Sequence, residues 1–418
     1  MKILWITNIP LPEATAMLTG ARDLKASGGW LIGAAQALTK NGDIDLCVAS
    51  VSGIVTELTV LKGETVTHYL LPLGKGNLRY NKDYESYWSQ INEEVDPDLV
   101  HIHGTEYTHG LAYLKACGCD NVVVSIQGMK SANYNYYYQG ISVWEVIRKM
   151  TFRDLLKGSI FKGKKRFKCT AKYEVELLSK VRHIIGRTSW DRARTWAINP
   201  YASYHFVNET LRDEFYEGFI WNYNNCTKYS IFVSQASYPI KGLHQLLKAM
   251  PIILRHYPKA KIRVAGSDIT ISNGFWGLKH FTGYGKIIKS MIKRLELENH
   301  IEFTGPLNAE GMRREYLCAN VFISPSTIEN SPNSLGEAQI LGVPCISSYV
   351  GGAMDMMKGN ESNLYRFEEV EMLAYKVCEI FENKENQCLM VNDALHRHNR
   401  EVNSNQLYSV YMQVIDKK

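Results

Sequence analysis

The sequence predicts an α/β protein built from two doubly wound domains, and three observations carry that expectation. Short, continuously apolar runs rich in β-branched residues alternate with helix-length segments along all 418 residues, the pattern of parallel sheets covered on both faces. The runs fall into two series, one per domain. Between them, Leu211-Arg212-Asp213-Glu214-Phe215-Tyr216 leads into the polar Asn222-Tyr223-Asn224-Asn225, which places the break within 208–225.

Taken in order, the first series is expected at 2–8, 46–51, 67–72, 98–103, 121–126, 183–186 and 204–207. The opening run Met1–Asn8 is too short for a secretory leader and reads as the first strand. The second series is expected at 228–234, 261–266, 301–304, 321–325, 344–348 and 364–367. The last stretch, 396–418, comes after the final strand and reads as helix. The division is then 1–210, 211–395 and a final helix 396–418.

Composition excludes several classes. Hydrophobic content of 45% and charged content of 22% are ordinary for a soluble globular chain with a large core. The nine cysteines are scattered without metal-ligand spacing, which reads as reduced, cytoplasmic cysteine. No stretch approaches the ~20 apolar residues of a membrane span.

In open α/β sheets ligands gather at the carboxyl ends of strands, so the segments that follow strands are the candidates. After the first strand, Gly28 and Gly29 precede a helix, where paired glycines let backbone approach a pyrophosphate. Val100-His101-Ile102-His103-Gly104 closes another strand. Alternation turns His101 and His103 to one face, either toward a metal or toward a substrate hydrogen bond from His103. Gln127, at the next strand end, has an amide for a sugar hydroxyl. Arg187 follows a later strand and suits an anionic group, or belongs to a capped helix start. Lys241-Gly242 follows the first strand of the second series, where a lysine suits a leaving phosphate.

The most informative stretch is Glu329-Asn330-Ser331-Pro332-Asn333-Ser334-Leu335-Gly336-Glu337. It closes the run Val321–Pro325 and opens a helix, with Ser331 expected as N-cap and Pro332 as the first helical residue. The N–H groups of Asn333, Ser334 and Leu335 are then expected to point out of the helix start, toward a phosphate. Glu337, one turn deeper, is placed to accept the hydroxyls of a ribose. Three look-alikes are set aside. Gly158–Lys165 resembles a phosphate loop, but no strand precedes it and Lys165 stands at the Ser/Thr position. Asp43-Ile44-Asp45 and Asp96-Pro97-Asp98 lie where strands begin and read as turns.

Together these residues resemble the retaining glycosyltransferases of family 4, which have the GT-B fold. The likeness rests on Gly28-Gly29, the strand Asp98–Gly104, Lys241-Gly242, the Glu329…Glu337 pair and Gly351-Gly352. It implies two Rossmann-like domains facing a cleft, with the C-terminal helix crossing back to the first. It also implies a nucleoside-diphosphate sugar, UDP- or GDP-linked, as donor substrate, with no separate cofactor and no metal. Glu337 would hold the ribose, and Glu329 the donor sugar or the turn beneath it. Lys241, the Gly28-Gly29 amides and the 333–335 helix start would carry the diphosphate charge. The sequence departs from the family in two places. The arginine expected before the lysine is replaced by Gln235 and Ala236, with Arg187 as one substitute, and a usual histidine is Gln127.

The segment 148–172 holds Arg148, Lys149, Arg153, Lys157, Lys162, Lys164, Lys165, Arg166, Lys168 and Lys172 against only Asp154, with Phe152, Leu155, Leu156 and Phe161 interleaved. This suits an anionic membrane face, at ~1 kcal/mol per basic residue, or equally a solvated helical hairpin. The first reading makes the protein peripheral at the inner face of the cell membrane. The expected acceptor is a glycan or lipid-linked glycan in cell-surface polysaccharide synthesis. No nucleic-acid motif is present. A sugar-nucleotide epimerase on the same fold and a non-catalytic sugar-nucleotide binder are the alternatives.

Overall fold

The computed structural model describes residues 1–20, 29–39, 43–74, 80–272, 274, 280–383 and 390–416. The chain forms two compact units. The first comprises Met1–Asn133, Arg166–Arg212 and Arg397–Lys418, and the second Tyr134–Lys165 and Asp213–His396. The main break lies at Arg212–Asp213. The segment 134–165, grouped above with the first domain, instead belongs to the second unit. Its Ile141, Val146 and Ile160 are buried in that unit's core, a tertiary preference that local sequence does not display.

The first unit is built on an eight-stranded sheet of order β3-β4-β2-β1-β5-β6-β7-β8. The strands are β1 (Lys2–Thr7), β2 (Asp45–Ser52), β3 (Thr59–Lys62), β4 (Val66–Pro72), β5 (Leu99–His103), β6 (Val122–Ser125), β7 (His183–Gly186) and β8 (Ser203–Phe206). All neighbours are parallel except β3 and β4. The sequence reading missed β3, a four-residue edge strand that buries no residue and so carries no apolar signature. Along β1 the period of two sorts the core: Leu4 and Ile6 face one layer, Ile3 and Trp5 the other.

The Trp5 layer is closed by the C-terminal helix Arg400–Ile415 through Leu407, Val410, Tyr411 and Val414. A hydrogen-bonded chain runs through it. Trp5 Nε1 donates to the Tyr411 hydroxyl at 3.0 Å, and that hydroxyl lies 2.6 Å from His101 Nδ1. His101 Nε2 lies 2.6 Å from Ser125 Oγ. The Tyr411 proton must then go to Nδ1, so the neutral imidazole carries its own proton on Nε2.

The second unit carries a six-stranded, wholly parallel sheet of order β11-β10-β9-β12-β13-β14. Its strands are β9 (Ser230–Val233), β10 (Lys261–Val264), β11 (Ile301–Phe303), β12 (Val321–Ser324), β13 (Cys345–Ser348) and β14 (Leu364–Tyr365). Ile231, Val233, Val321 and Ile323 face one layer, while Phe232 and Phe322 face the other with Tyr316 and Leu335. The strand order reverses between β9 and β12, the position where doubly wound sheets hold ligands. No described helix is long and apolar enough to cross a membrane.

Burial fixes a pH dependence. It holds His101 down to about 3, His109, His244 and His398 to about 4, and His103 well below its ordinary 6.5. Such a histidine binds no proton when folded where the unfolded chain does, so its contribution is complete above 6.5 and lost as pH falls toward the folded value. Glu174, raised by burial to about 7, acts in the opposite sense between 4.5 and that value. Five histidines outweigh one glutamate. The melting temperature should therefore fall steadily as pH is lowered from about 6.5 to about 4.5. A flat or rising melting temperature over that range would contradict this assignment.

Candidate functional site

Three loops at carboxyl ends of the second sheet meet at Glu329. The first follows β9. Pro239–Lys241 forms one short helical turn, and Gly242, at φ 71°, redirects the chain into the helix Leu243–His256. A Cβ at Gly242 would overlap the Pro325 carbonyl, so only glycine permits this approach to the β12 loop. The contact is secured by Thr327 N–H donating to Ile240 O at 2.7 Å. It brings Lys241 Nζ to 2.6 Å from Glu329 Oε1.

The second loop, after β12, holds Glu329 itself, whose Oε1 also accepts from Ser326 Oγ at 2.7 Å. The third follows β13. Gly352 N–H donates to Glu329 O at 3.0 Å, and a Cβ on Gly351, at φ 54°, would fall inside the same carbonyl oxygen. Ser348 Oγ donates to Ser326 O at 2.6 Å, tying β13 to the β12 loop. Glu329 thus uses side chain and backbone together. The Lys241 side chain is 19% exposed and that of Glu329 16%, so the pair is sheltered yet reachable from solvent. Burial disfavours the ammonium, but Glu329 and Tyr238 outweigh it and hold the Lys241 pKa above its ordinary value, so the lysine stays charged at neutral pH.

The helix Asn333–Ile340 begins one residue beyond Pro332, which is its N-cap with extended ψ 115°. This corrects the expected start. Ser331 Oγ turns to Met356 Sδ at 3.6 Å instead of capping the helix. Pro332 has no side-chain acceptor, so no side chain of the cap residue closes the helix start. Leu335 N–H, expected to point outward, donates to Pro332 O at 2.9 Å, and the leucine is fully buried. Asn333 and Ser334 remain as the outermost turn. Glu337 is buried, and the Tyr316 hydroxyl lies 3.3 Å from its Oε2 and 2.9 Å from Ser334 O. Tyr316 therefore orients the turn and the carboxylate together. Sequence reasoning missed it, as its sole sign is a tyrosine on the inward face of the preceding helix.

The remaining candidates belong to the first unit. His101 and His103 do share a face, with ring centroids 3.7 Å apart. Both nitrogens of His101 are engaged by hydroxyls, which leaves none for a metal. His103 is buried against Trp5 and kept neutral by burial, aided by His101 and Arg187. Arg187 is not an uncommitted cation. It is buried, its Nη1 pairs with Glu209 Oε1 at 2.7 Å, and its Nη2 donates to Ile126 O. Gln127 is half-buried on the bend after β6. Gly28 lies outside the described residues, and Gly29 opens the helix Gly29–Thr39.

Beside Gln127 lies a cluster that sequence reading did not find. Glu106 Oε2 accepts from Asn8 Nδ2 at 3.2 Å and Oε1 from Gly128 N–H at 2.9 Å. Lys130 Nζ donates to Glu106 O, and Glu174 accepts from the Lys130 and Ser131 N–H groups at 2.8 and 3.0 Å. Asn8, Glu106 and Gly128–Ser131 follow β1, β5 and β6, while Glu174 lies on the helix Ile160–Lys180, so the rule of looking after strands could have exposed Glu106.

Gly351 and Gly359 separate two costs of adding a side chain. Both have positive φ, yet a Cβ at Gly359 meets nothing within 4 Å. Gly359→Ala should cost only the left-handed strain, about 1–2 kcal/mol. Gly351→Ala adds displacement of the Glu329 carbonyl and should lower stability further. Equal unfolding midpoints for the two variants would deny the packing described at Glu329.

Residues 219–397 match the family model described as glycosyl transferases group 1. An uncharacterized glycosyltransferase of Methanocaldococcus jannaschii is 27% identical over 138 residues, covering 33% of this chain and 31% of that relative. The chain thus aligns with about a third of that protein's length. Sucrose-phosphate synthase from Thermosynechococcus elongatus superposes with a TM-score of 0.69 at 15% identity, covering 100% of both chains. The trehalose-6-phosphate structure from E. coli bound with UDP-2-fluoro glucose superposes with a TM-score of 0.66 at 10% identity, covering 99% of each. At such identities the likeness speaks for the fold. The fold is GT-B, and the group 1 domain at 219–397 together with these neighbours supports a glycosyltransferase.

Proposed function

We propose that the protein transfers a sugar, with retention and without a metal ion, from a nucleoside-diphosphate sugar to a glycan or lipid-linked glycan used in cell-surface polysaccharide. The observation that carries this reading is the convergence of Lys241, Ser326 and the Gly351-Gly352 turn on Glu329, beside a helix start that no side chain of its cap residue closes. The UDP-sugar held by the E. coli neighbour favours a donor of that class.

In this reading Glu337 accepts the ribose hydroxyls and Glu329 steadies the sugar and the lysine. Asn333 and Ser334 face the diphosphate, and Lys241 supplies the cation. The bond from the anomeric carbon to the diphosphate oxygen breaks, and the acceptor oxygen bonds to the same face of that carbon. The acceptor proton passes to the leaving phosphate. Charge grows on the leaving oxygen as the bond breaks, so a fixed ammonium stabilises the transition state more than the bound donor. His103, held neutral, and Gln127 are assigned hydrogen bonds to sugar hydroxyls, with no proton transfer through an imidazole.

Glu337→Gln should weaken UDP or GDP binding in calorimetry, since a hydrogen bond to a charged group contributes roughly 1.5–3 kcal/mol. Unchanged affinity in the folded variant would remove Glu337 from the donor site. Lys241→Ala should cost turnover on the order of 10²–10³, with a smaller loss of donor affinity. Arginine restored at 235, which is exposed, should recover part of that loss; at 236 it would enter the core, where Ala236 is 3% exposed. Activity should survive EDTA, and NMR of the early product should show the donor's anomeric configuration. Inversion, or a loss with EDTA that manganese reverses, would overturn the mechanism.

A further inference from the structure

We propose that the short helices Val143–Arg148 and Phe152–Lys157 form a docking element for an anionic lipid bilayer, with Trp144, Phe152, Leu155 and Leu156 as the inserted side chains. These are 74%, 64%, 69% and 67% exposed, and Val143 and Ile147 beside them are 49% and 46% exposed. Scattered apolar residues on a surface are ordinary, but a run this dense over fourteen positions marks an interaction site.

The element is held firmly from beneath. Ile141, Val146 and Ile160 are buried in the core of the second unit. Lys149 Nζ donates to Ser290 Oγ at 2.7 Å, and Thr151 Oγ1 to Phe281 O at 2.9 Å. Thr151 and Asp154 form a reciprocal cap on the second helix, and Asp154 also accepts from Gly283 N–H at 2.7 Å. An ordered base therefore presents apolar tips outward.

Charge selects the occupant. Arg148, Lys157, Lys162 and Lys165 are exposed around the tips. Within 134–165 the acidic residues are Glu145, half-buried, and Asp154, buried with its oxygens taken by backbone N–H groups and Arg153. The outward face is thus cationic with apolar and aromatic anchors, which matches lipid headgroups of negative charge. A second copy of the chain would set like charges against each other. The proposal stands on exposure and charge, independently of the donor chemistry above.

The test is flotation of the full chain with vesicles of phosphatidylcholine, alone or mixed with phosphatidylglycerol. The protein should float with the anionic vesicles at low salt and be released at high salt. Brominated lipid should quench its tryptophan emission, and Trp144→Phe should abolish most of that quenching. Exchanging Trp144, Phe152, Leu155 and Leu156 together for serine should lower partitioning at least about tenfold while leaving the melting temperature and UDP binding unchanged. Failure of the wild-type chain to float at low salt would overturn the proposal, as would flotation of the serine variant like the wild type. A wild-type dimer dissolved by Trp144→Ser, without lipid binding, would assign the face to a second copy instead.

Discussion

Glu329 is the point on which the rest of the second unit's site depends. Its carbonyl accepts from the loop after β13, while its carboxylate accepts from the loops after β9 and β12. Neither charge of the Lys241–Glu329 pair is deeply buried or fully wet. In such a place a lone carboxylate or ammonium is costly, and a pair with further hydrogen bonds is not. Each partner therefore fixes the other. The glycines at 242 and 351 make the arrangement possible by letting two backbones touch the β12 loop where a Cβ would collide. The site is held by backbone shape first and by charge second.

The first unit is organised by neutral histidines. His101 joins Tyr411 and Ser125, with Trp5 feeding the same chain from the other end. Protonation would turn Nδ1 from acceptor to donor and set it against the Tyr411 hydroxyl proton. The network therefore works only with the uncharged ring, and the same burial that depresses its pKa anchors the C-terminal helix. Arg187 follows similar logic. A guanidinium buried near histidines must meet a carboxylate, and Glu209 supplies it. This removes Arg187 as the replacement cation for the arginine absent at 235 and 236, and leaves Lys241 as the charged group placed beside Glu329.

Much of this was legible from sequence, for a physical reason. Buried parallel strands such as Ile231–Val233 and Val321–Ile323 must be apolar on both faces, so composition alone reveals them. Lys241, Glu329 and Glu337 stand out as candidates in the sequence because they follow strands of a doubly wound sheet, where ligands gather. What escaped depends on partners far away in the chain. Pairing of Tyr411 with His101, of Arg187 with Glu209, and of Tyr316 with Glu337 leaves no local pattern. β3 escaped because an edge strand that buries nothing has no apolar signature. The start of Asn333–Ile340 was misplaced by one residue because proline's fixed φ suits both the cap and the first helical position, and ψ decides between them.

The same dependence on distant partners explains why 134–165 packs with the second unit, and it joins two features that the sequence kept apart. The helix Leu243–His256 starts directly after Lys241-Gly242. His244, in its first turn, is neutral, and Gln139 O, 2.8 Å from Nε2, can only accept, so Nε2 carries the proton. Nδ1 is then the acceptor for the Tyr284 hydroxyl at 3.2 Å. Lys248, one turn on, donates to Gly140 O at 2.8 Å. The root of the exposed apolar element is therefore hydrogen-bonded to the helix that carries on from the lysine turn, and Gly140, at φ 78°, lets its backbone pass close to His244 and Gln245. Within this unit, whatever fixes the apolar element in place also fixes the helix that sets the position of Lys241.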